Sequence, residues 1–201
     1  MSTFFDVALR QRACRRFDSS EDVPDSDLLE MVNAAVHAPS AENRQPWEFV
    51  VVRNAPARRV FQGIVQAAWS GGGKDYVQAH TPPELFSDIQ DGIEAGGLET
   101  APVVIIVCCD FSKVDEMWAP ESIYPATQNL LLAATALGYG SCLGTGVTTI
   151  GAEQIRDLLN LPDNIRPFAA VFIGRAARVL GPPRREAAAS HLHRETFGSA
   201  W

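Results

Sequence analysis

The sequence lacks a long apolar run and an excess of basic residues. No stretch approaches the roughly 20 consecutive apolar residues that a membrane-spanning helix needs. The formal net charge of −7 at pH 7 argues against general electrostatic binding to nucleic acid or to an anionic membrane. The N-terminus does not run from basic to apolar residues as a secretory signal does. We therefore expect a cytoplasmic protein that binds neither nucleic acid nor membrane.

Cysteine and histidine are also scarce, and their spacing fits no metal site. His191 and His193 lie in the C-terminal tail without metal-ligand partners at a suitable spacing. The four cysteines contain no C-x-x-C pair; they are Cys14, Cys108, Cys109 and Cys142. We expect no bound metal, and we expect the cysteines to be buried free thiols in a reducing compartment.

What is present is a chain of 201 residues with an ordinary globular composition, 46% hydrophobic and 20% charged. No internal repeat, low-complexity block or linker divides it, so we expect one domain over residues 1–201. Hydrophobic periodicity predicts strands at 48–53, 102–109, 141–143 and 168–174, and helices at 4–12, 26–38, 58–69, 122–137 and 152–160. This mixture indicates the α+β class rather than a strict βαβ alternation.

Two stretches show no clear hydrophobic periodicity of either a helix or a strand. Residues 74–97 are polar and contain Pro82-Pro83, and we expect a mobile lid or excursion there, since long irregular segments are often functional. Residues 178–201 form a tail rich in Arg, Pro and Ala. The glycines within 138–146 follow a helix rather than a first strand, so they are weak evidence for a dinucleotide-binding fingerprint.

A cluster of arginines stands out near the N-terminus. Four arginines lie within seven residues of the segment Arg10-Gln11-Arg12-Ala13-Cys14-Arg15-Arg16-Phe17. Guanidinium groups bind phosphate through paired, charge-assisted hydrogen bonds, so the cluster suits a mononucleotide phosphate. Taken alone, such a cluster is more often a solvated basic helix end.

A second polar segment joins a helix to a strand. It reads Ala38-Pro39-Ser40-Ala41-Glu42-Asn43-Arg44-Gln45-Pro46-Trp47. Its serine, asparagine and glutamine offer short donors and acceptors that could read the edge of a heterocycle. A capped turn is the alternative interpretation.

Together, these two segments resemble the nitroreductase-like flavoprotein family. Its members typically combine an Arg-Arg-Ser-x-Arg-x-Phe-like start with Ala-Pro-Ser-x-x-Asn-x-Gln-Pro-Trp before a hydrophobic strand. Residues 129–142, 161–163 and 173–174 extend the resemblance over nearly the whole chain. The resemblance implies a three-layer α-β-α fold with a central, mostly antiparallel sheet flanked by helices. It also implies an intertwined homodimer in which the tail, residues 178–201, embraces the partner subunit.

The resemblance further implies an FMN held noncovalently between the two subunits. Arg12 and Arg15 match positions that hold the phosphate and the ribityl chain, and Pro39, Ser40 and Asn43 would approach from the partner subunit. Backbone N–H groups at 143–144 would face the isoalloxazine ring. The matching cofactor-binding positions are Arg12, Ala13, Arg15, Arg16, Pro39, Ser40, Asn43, Gln45, Leu143, Gly144 and Arg184, or Arg185 if the register slips by one.

The chain departs from the family pattern at three positions. Gln11 and Ala13 stand where many members have Arg and Ser, and Pro182 stands where a Lys is common. Each departure loses one donor to the phosphate or the ring. The branch of the family that converts flavin into a cobalamin ligand carries Asp at the position of Ala13, so we do not expect that activity.

The implied activity is ping-pong hydride transfer. NAD(P)H reduces flavin N5 and leaves, and a small electron-poor acceptor such as a nitroaromatic or a quinone is then reduced in the same place. We expect no side chain to act as a catalytic acid or base. Two alternatives stay open: a flavin-dependent dehydrogenase or oxidase of a small cyclic metabolite, and a flavin-binding protein without turnover.

Overall fold

The computed structural model describes residues 3–201, and helices and strands alternate irregularly along them. The helices are α1 (Phe4–Arg10), α2 (Asp25–Val36), α3 (Ala55–Ala68), α4 (Lys74–His80), α5 (Pro83–Glu94), α6 (Ala119–Ala136), α7 (Thr145–Ile150) and α8 (Ala152–Leu159). The strands are β1 (Trp47–Val52), β2 (Val103–Asp110), β3 (Gly140–Gly144) and β4 (Ile165–Gly174). Short helical turns occupy Ala41–Asn43, Trp69–Gly73, Glu116–Trp118 and Ala188–His191.

The four strands form one antiparallel sheet in the order β1-β2-β4-β3. Trp47 pairs with Cys109 at one end of β2, and Val103 pairs with Ile173 at the other end. β3 lies at the edge of the sheet, beside the C-terminal half of β4. The pairing confirms the expected antiparallel sheet, and it defines two opposite ends at which loops and termini gather.

β2 is the centre of the fold, because all of its residues are buried. Alternate side chains of a strand point to opposite faces of the sheet. Ile105 and Val107 accordingly pack with α2 and α6, whereas Val104 and Ile106 pack with α3 and α8. The sheet is therefore enclosed between two helical layers, which confirms the expected three-layer α-β-α architecture.

All four cysteines are buried free thiols, as the sequence predicted. Burial raises the pKa of Cys108 to about 12 and the pKa values of Cys109 and Cys142 to about 11. These three thiols are therefore protonated near neutral pH and are poor nucleophiles. Within residues 3–201, no group of His, Cys, Asp and Glu could hold a metal ion, and no helix is long and apolar enough to cross a membrane.

Residues 74–97 are helical, and the expectation of an irregular stretch is wrong. They contain α4 and α5, and α5 begins at Pro83. Proline suits the first turn of a helix because the N–H that it lacks has no intrahelical partner there. The proline pair therefore starts a helix instead of breaking one. Trp69 stacks on Phe86 with ring centroids 6.0 Å apart, and Gln62 Nε2 donates to the Ile93 carbonyl at 3.1 Å, so α5 packs against α3.

Other helices also differ from the prediction. α1 ends two residues early, because residues 12–14 run extended beside β3. α3 starts early because Asn54 Oδ1 accepts a hydrogen bond from the Ala57 N–H at 3.1 Å and so caps the helix. α7 was not predicted, since its β-branched residues disfavour a helix. Burial of Val147 and Thr148 overrides that preference, and Thr148 Oγ1 donates to the Phe168 carbonyl at 2.8 Å.

The core beneath α8 provides a test of this packing. Ile155 is fully buried among residues of α3 and β4, whereas Leu158 on the same helix is 37% exposed. Ile155→Ala should lower the free energy of unfolding by about 2–5 kcal/mol, because it removes apolar contacts and leaves a cavity. Leu158→Ala should lower it by less than half as much. Urea unfolding followed by circular dichroism measures both, and equal losses would contradict the assigned helix face.

Candidate functional site

A cleft of about 540 Å³ opens between three parts of the chain that are distant in sequence. The segment after α1 contributes Arg12, Ala13 and Arg15. The N-terminal half of α5 contributes Glu84, Leu85 and Asp88, and the tail contributes Arg184 and Arg185. The volume falls within the ~300–1,000 Å³ typical of ligand sites. Four arginines and only two carboxylates face this cleft, so it favours an anionic ligand.

The arginine segment is held in place by β3. Ala13 forms a parallel bridge with Ser141, and the Cys14 N–H donates to the Ser141 carbonyl at 2.8 Å. Gly140 permits this approach, since a Cβ at that position would lie 2.8 Å from both the Cβ and the Sγ of Cys14. The backbone pairing buries Cys14 in the core and leaves the arginines on either side of it at the cleft.

The three arginines of this segment that follow α1 each have a defined partner. Arg12 Nη1 donates to the Gly181 carbonyl at 2.9 Å, which ties the segment to the tail. Arg15 Nη1 donates to Asp88 Oδ2 at 3.1 Å. Arg16 does not line the cleft; its Nη2 donates to the Asp91 carbonyl on α5 at 3.2 Å. The predicted cluster is therefore divided, with Arg12 and Arg15 on the cleft and Arg16 at the C-terminal part of α5.

The tail brings both of its alternative arginines to the cleft. Arg184 pairs with Glu84 at 3.4 Å, and Arg185 Nη1 donates to the Arg184 carbonyl at 2.8 Å. Both guanidinium groups are exposed enough to change partner when a ligand enters. Either Arg184 or Arg185 can therefore be the phosphate-binding arginine of the tail, because both reach the cleft.

The second predicted segment lies at the opposite end of the sheet. Its residues precede Trp47, which pairs with the last residues of β2, whereas Ala13 lies beside the start of β3. Pro39, Ser40, Asn43 and Gln45 do not line the arginine cleft. One chain thus presents the predicted cofactor-binding residues as two separate groups.

This loop is stiff although it is exposed. Glu42, Asn43 and Gln45 all adopt positive φ, at 52°, 56° and 49°, a region that costs free energy for residues other than glycine. Ser40 Oγ accepts a hydrogen bond from the Gln45 N–H at 3.1 Å, and the Ala41 N–H donates to the buried Ser122 Oγ at 3.1 Å. Such local strain is typical of segments held for binding rather than for packing.

Leu143 and Gly144 end β3, two and three residues beyond the bridge to Ala13. Leu143 is 38% exposed, and a Cβ at Gly144 would lie 3.0 Å from Phe172 Cε2. Because Gly144 has no side chain, the end of β3 can pack closely against the core. The backbone of this pair follows the same sheet edge as the arginine segment.

Sequence reasoning missed the contribution of α5. Glu84 and Asp88 lie one helical turn apart and both face the cleft, each beside an arginine. Their i, i+4 spacing after Pro82-Pro83 could have predicted an acidic helix face, because proline is common at the start of a helix and residues four apart share one face. Treating residues 74–97 as irregular concealed it.

Comparison with known proteins identifies the family to which the chain belongs. The family model described as "Nitroreductase family" matches residues 8–175. A protein of Methanothermobacter thermautotrophicus, provisionally named an NADH dehydrogenase/NAD(P)H nitroreductase, is 32% identical over 171 residues, which cover 83% of this chain and 74% of that protein. An NADH dehydrogenase of Thermus thermophilus is 29% identical over 192 residues, which cover 89% of each protein.

A solved structure shows the same fold with a ligand. A provisionally named nitroreductase of Desulfovibrio desulfuricans, crystallised in complex with FMN, superposes with a TM-score of 0.69 and is 25% identical. The match covers 98% of this chain and 99% of that one. Because the family model spans most of the sequence and the fold agrees with it, the chain belongs to the nitroreductase family of oxidoreductases.

Proposed function

We propose that this protein is an FMN-dependent oxidoreductase that uses NAD(P)H to reduce small electron-poor acceptors such as nitroaromatics or quinones. The observation that carries the proposal is the convergence of Arg12, Arg15, Arg184 and Arg185 on one cleft of an acidic chain. These residues come from both ends of the sequence, so their meeting is a property of the fold. Arginine is the side chain best suited to grip a phosphate, because its planar guanidinium donates two parallel hydrogen bonds.

The residues present fit FMN. The arginines outnumber the carboxylates of the cleft, and Leu85 and Pro182 add apolar wall beside them. The positions of Gln11 and Ala13 supply no arginine or serine, but Arg184 and Arg185 both reach the cleft and can supply the missing donors. The donor set therefore remains sufficient for a monoester phosphate.

Each group of residues has a separate task in this proposal. Arg12 and Arg15 would hold the phosphate and ribityl chain together with Arg184 or Arg185. Ser40 and Asn43 of the partner subunit would meet the ring, and the backbone at 143–144 would face it from this subunit. When bound, FMN supplies the capacity to accept and donate a hydride. The protein binds, orients and shields it, and no side chain of the cleft is required as an acid or a base.

A second copy of the chain is proposed to complete the site. α1 exposes Phe4, Phe5 and Leu9, and the tail exposes Val179 and Phe197 almost completely. Exposed large apolar residues gathered on one helix and one extended segment are typical of a subunit interface. Such a dimer would also join the two groups of cofactor-binding residues, which lie at opposite ends of the sheet within one chain.

The absorption spectrum of the purified protein tests the cofactor and the reaction. We expect a yellow protein that bleaches when NADPH or NADH is added anaerobically and recovers when a nitroaromatic or quinone follows. A yellow protein that ignores both nucleotides would favour the dehydrogenase or the binding-protein alternative. A colourless protein that cannot be reconstituted with FMN would contradict the proposal.

Substitution of the arginines tests the phosphate assignment. Arg12→Ala should raise the Kd for FMN about tenfold, because it removes a charge-assisted hydrogen bond to the phosphate. It should change the Kd for riboflavin, which has no phosphate, much less. Arg16→Ala is the matched control, since Arg16 belongs to the same segment but does not line the cleft. Flavin fluorescence titration measures all four constants, and equal effects of the two variants would reject the assignment.

Light scattering tests the proposed dimer. The wild-type protein should have twice the mass of one chain, and Phe5→Asp should shift it toward the monomer, because a carboxylate would be buried in an apolar interface. Tyr76→Asp is the control, since Tyr76 is similarly exposed on α4. A wild-type monomer that still binds FMN would refute the dimeric site.

A further inference from the structure

Asp88 joins two parts of the chain that are distant in sequence. Its Oδ2 accepts a hydrogen bond from Arg15 Nη1 at 3.1 Å, and its Oδ1 accepts one from Arg178 Nη2. The side chains of Asp88 and Arg15 are only 21% and 20% exposed. A partly buried carboxylate between two guanidinium groups is a far more specific contact than an exposed surface pair.

The helix that carries Asp88 is fixed against the arginine segment. A Cβ at Gly97 would lie 2.1 Å from the Arg15 carbonyl oxygen, and one at Gly92 would lie 2.6 Å from Arg15 Cβ. The two backbones are therefore in direct contact. Trp69 Nε1 also donates to Glu94 Oε1 at 3.1 Å and holds the C-terminal end of α5. Asp88 thus extends from a rigid element toward two flexible side chains.

The tail depends on a small number of such contacts. Between Arg178 and Arg185, it is tied to the rest of the chain by Arg178 on Asp88, Arg12 on the Gly181 carbonyl and Arg184 on Glu84. The last of these pairs is highly exposed and so contributes little. Unlike Glu84, Asp88 also accepts a hydrogen bond from an arginine of the segment that follows α1, Arg15.

We propose that Asp88 is a positioning residue for the phosphate end of the flavin site. It fixes the guanidinium of Arg15 and the path of the tail that carries Arg184 and Arg185. This inference rests on the proposed function. A carboxylate beside a phosphate site also repels the anionic ligand, which is the opposite effect. The geometry favours positioning, since both carboxylate oxygens are engaged by arginines and the two cations exceed the single negative charge.

The variant Asp88→Asn separates these effects. It keeps the shape of the side chain but removes its charge, and its single carbonyl oxygen can accept a hydrogen bond from only one side, so Arg15 and Arg178 are no longer held together by one carboxylate. If Asp88 positions them, the Kd for FMN rises about tenfold, which corresponds to the loss of about one charge-assisted hydrogen bond. The Kd for riboflavin rises much less, and Asp88→Glu restores part of the FMN affinity.

Asp91→Asn is the matched control. Asp91 lies on the same helix and its side chain pairs with Arg16 at 3.7 Å, but it is 63% exposed. The closer contact of Arg16 is to the backbone carbonyl of residue 91, which the substitution keeps. The Kd for FMN should therefore stay within about twofold of the wild-type value.

Arg178→Gln provides a second test that leaves the contact between Asp88 and Arg15 intact. It should weaken FMN binding in the same direction but by a smaller factor, because only the tail is released. Circular dichroism tests whether each variant is folded. If Asp88→Asn does not fold, the FMN affinity of Arg178→Gln alone tests the positioning role.

The outcomes distinguish this inference from the proposed function. Wild-type protein that binds no FMN overturns both. Wild-type protein that binds FMN while Asp88→Asn binds it equally or more tightly overturns the positioning role alone and identifies Asp88 as a competitor of the phosphate. Equal weakening of FMN and riboflavin binding by Asp88→Asn would also overturn it, because a general loss of structure would not be selective for the phosphate.

Discussion

The pairing of Ala13 with Ser141 is the contact on which the candidate site depends. Without it, the segment after α1 would be a basic extension in solvent, which is the ordinary interpretation of four clustered arginines. The hydrogen bond from the Cys14 N–H to the Ser141 carbonyl fixes the segment on the edge of the sheet, where Cys14 and Phe17 are buried. Arg12 and Arg15 are thereby placed at one cleft by backbone geometry, which side-chain composition alone could not specify.

A second constraint is that clustered cations repel one another, and the carboxylates of α5 reduce this repulsion. Glu84, Asp88 and Asp91 follow one side of the helix and lie beside Arg184, Arg15 and Arg16 in turn. These three arginines are therefore paired with carboxylates before any ligand arrives. An anionic ligand then exchanges one set of ion pairs for another, and the exposed pair of Arg184 with Glu84 is the easiest to exchange because solvent already screens it.

Much of the fold could be predicted because its strands and its central helix carry strong local signals. β2 is a continuous apolar run up to its last residue and is buried along its whole length, and α6 contributes eight buried residues to the core. The meeting of Arg12, Arg15 and Arg184 was anticipated only through the family resemblance, since no local pattern relates the two ends of a chain. α5 and α7 were missed for physical reasons: a proline pair can start a helix as well as break one, and burial can hold β-branched residues in a helix.

The division of the predicted residues into two groups follows from the register of the sheet. The loop that contains Ser40 and Asn43 precedes β1, whose first residue pairs with Cys109 near the end of β2. The arginine segment meets β3 at the other end of the sheet, where β2 begins and β4 lies between β2 and β3. The two groups of residues are therefore separated by the length of β2. The strained loop is also held in place by the hydrogen bond from the Ala41 N–H to Ser122 Oγ, so it stays at its own end of the sheet. In the proposed dimer, a two-fold axis would bring these two groups together, because each contact between one residue of one copy and another residue of the partner occurs twice across the axis. In that proposed dimer, the strained loop would present its polar groups to the partner subunit instead of to its own core.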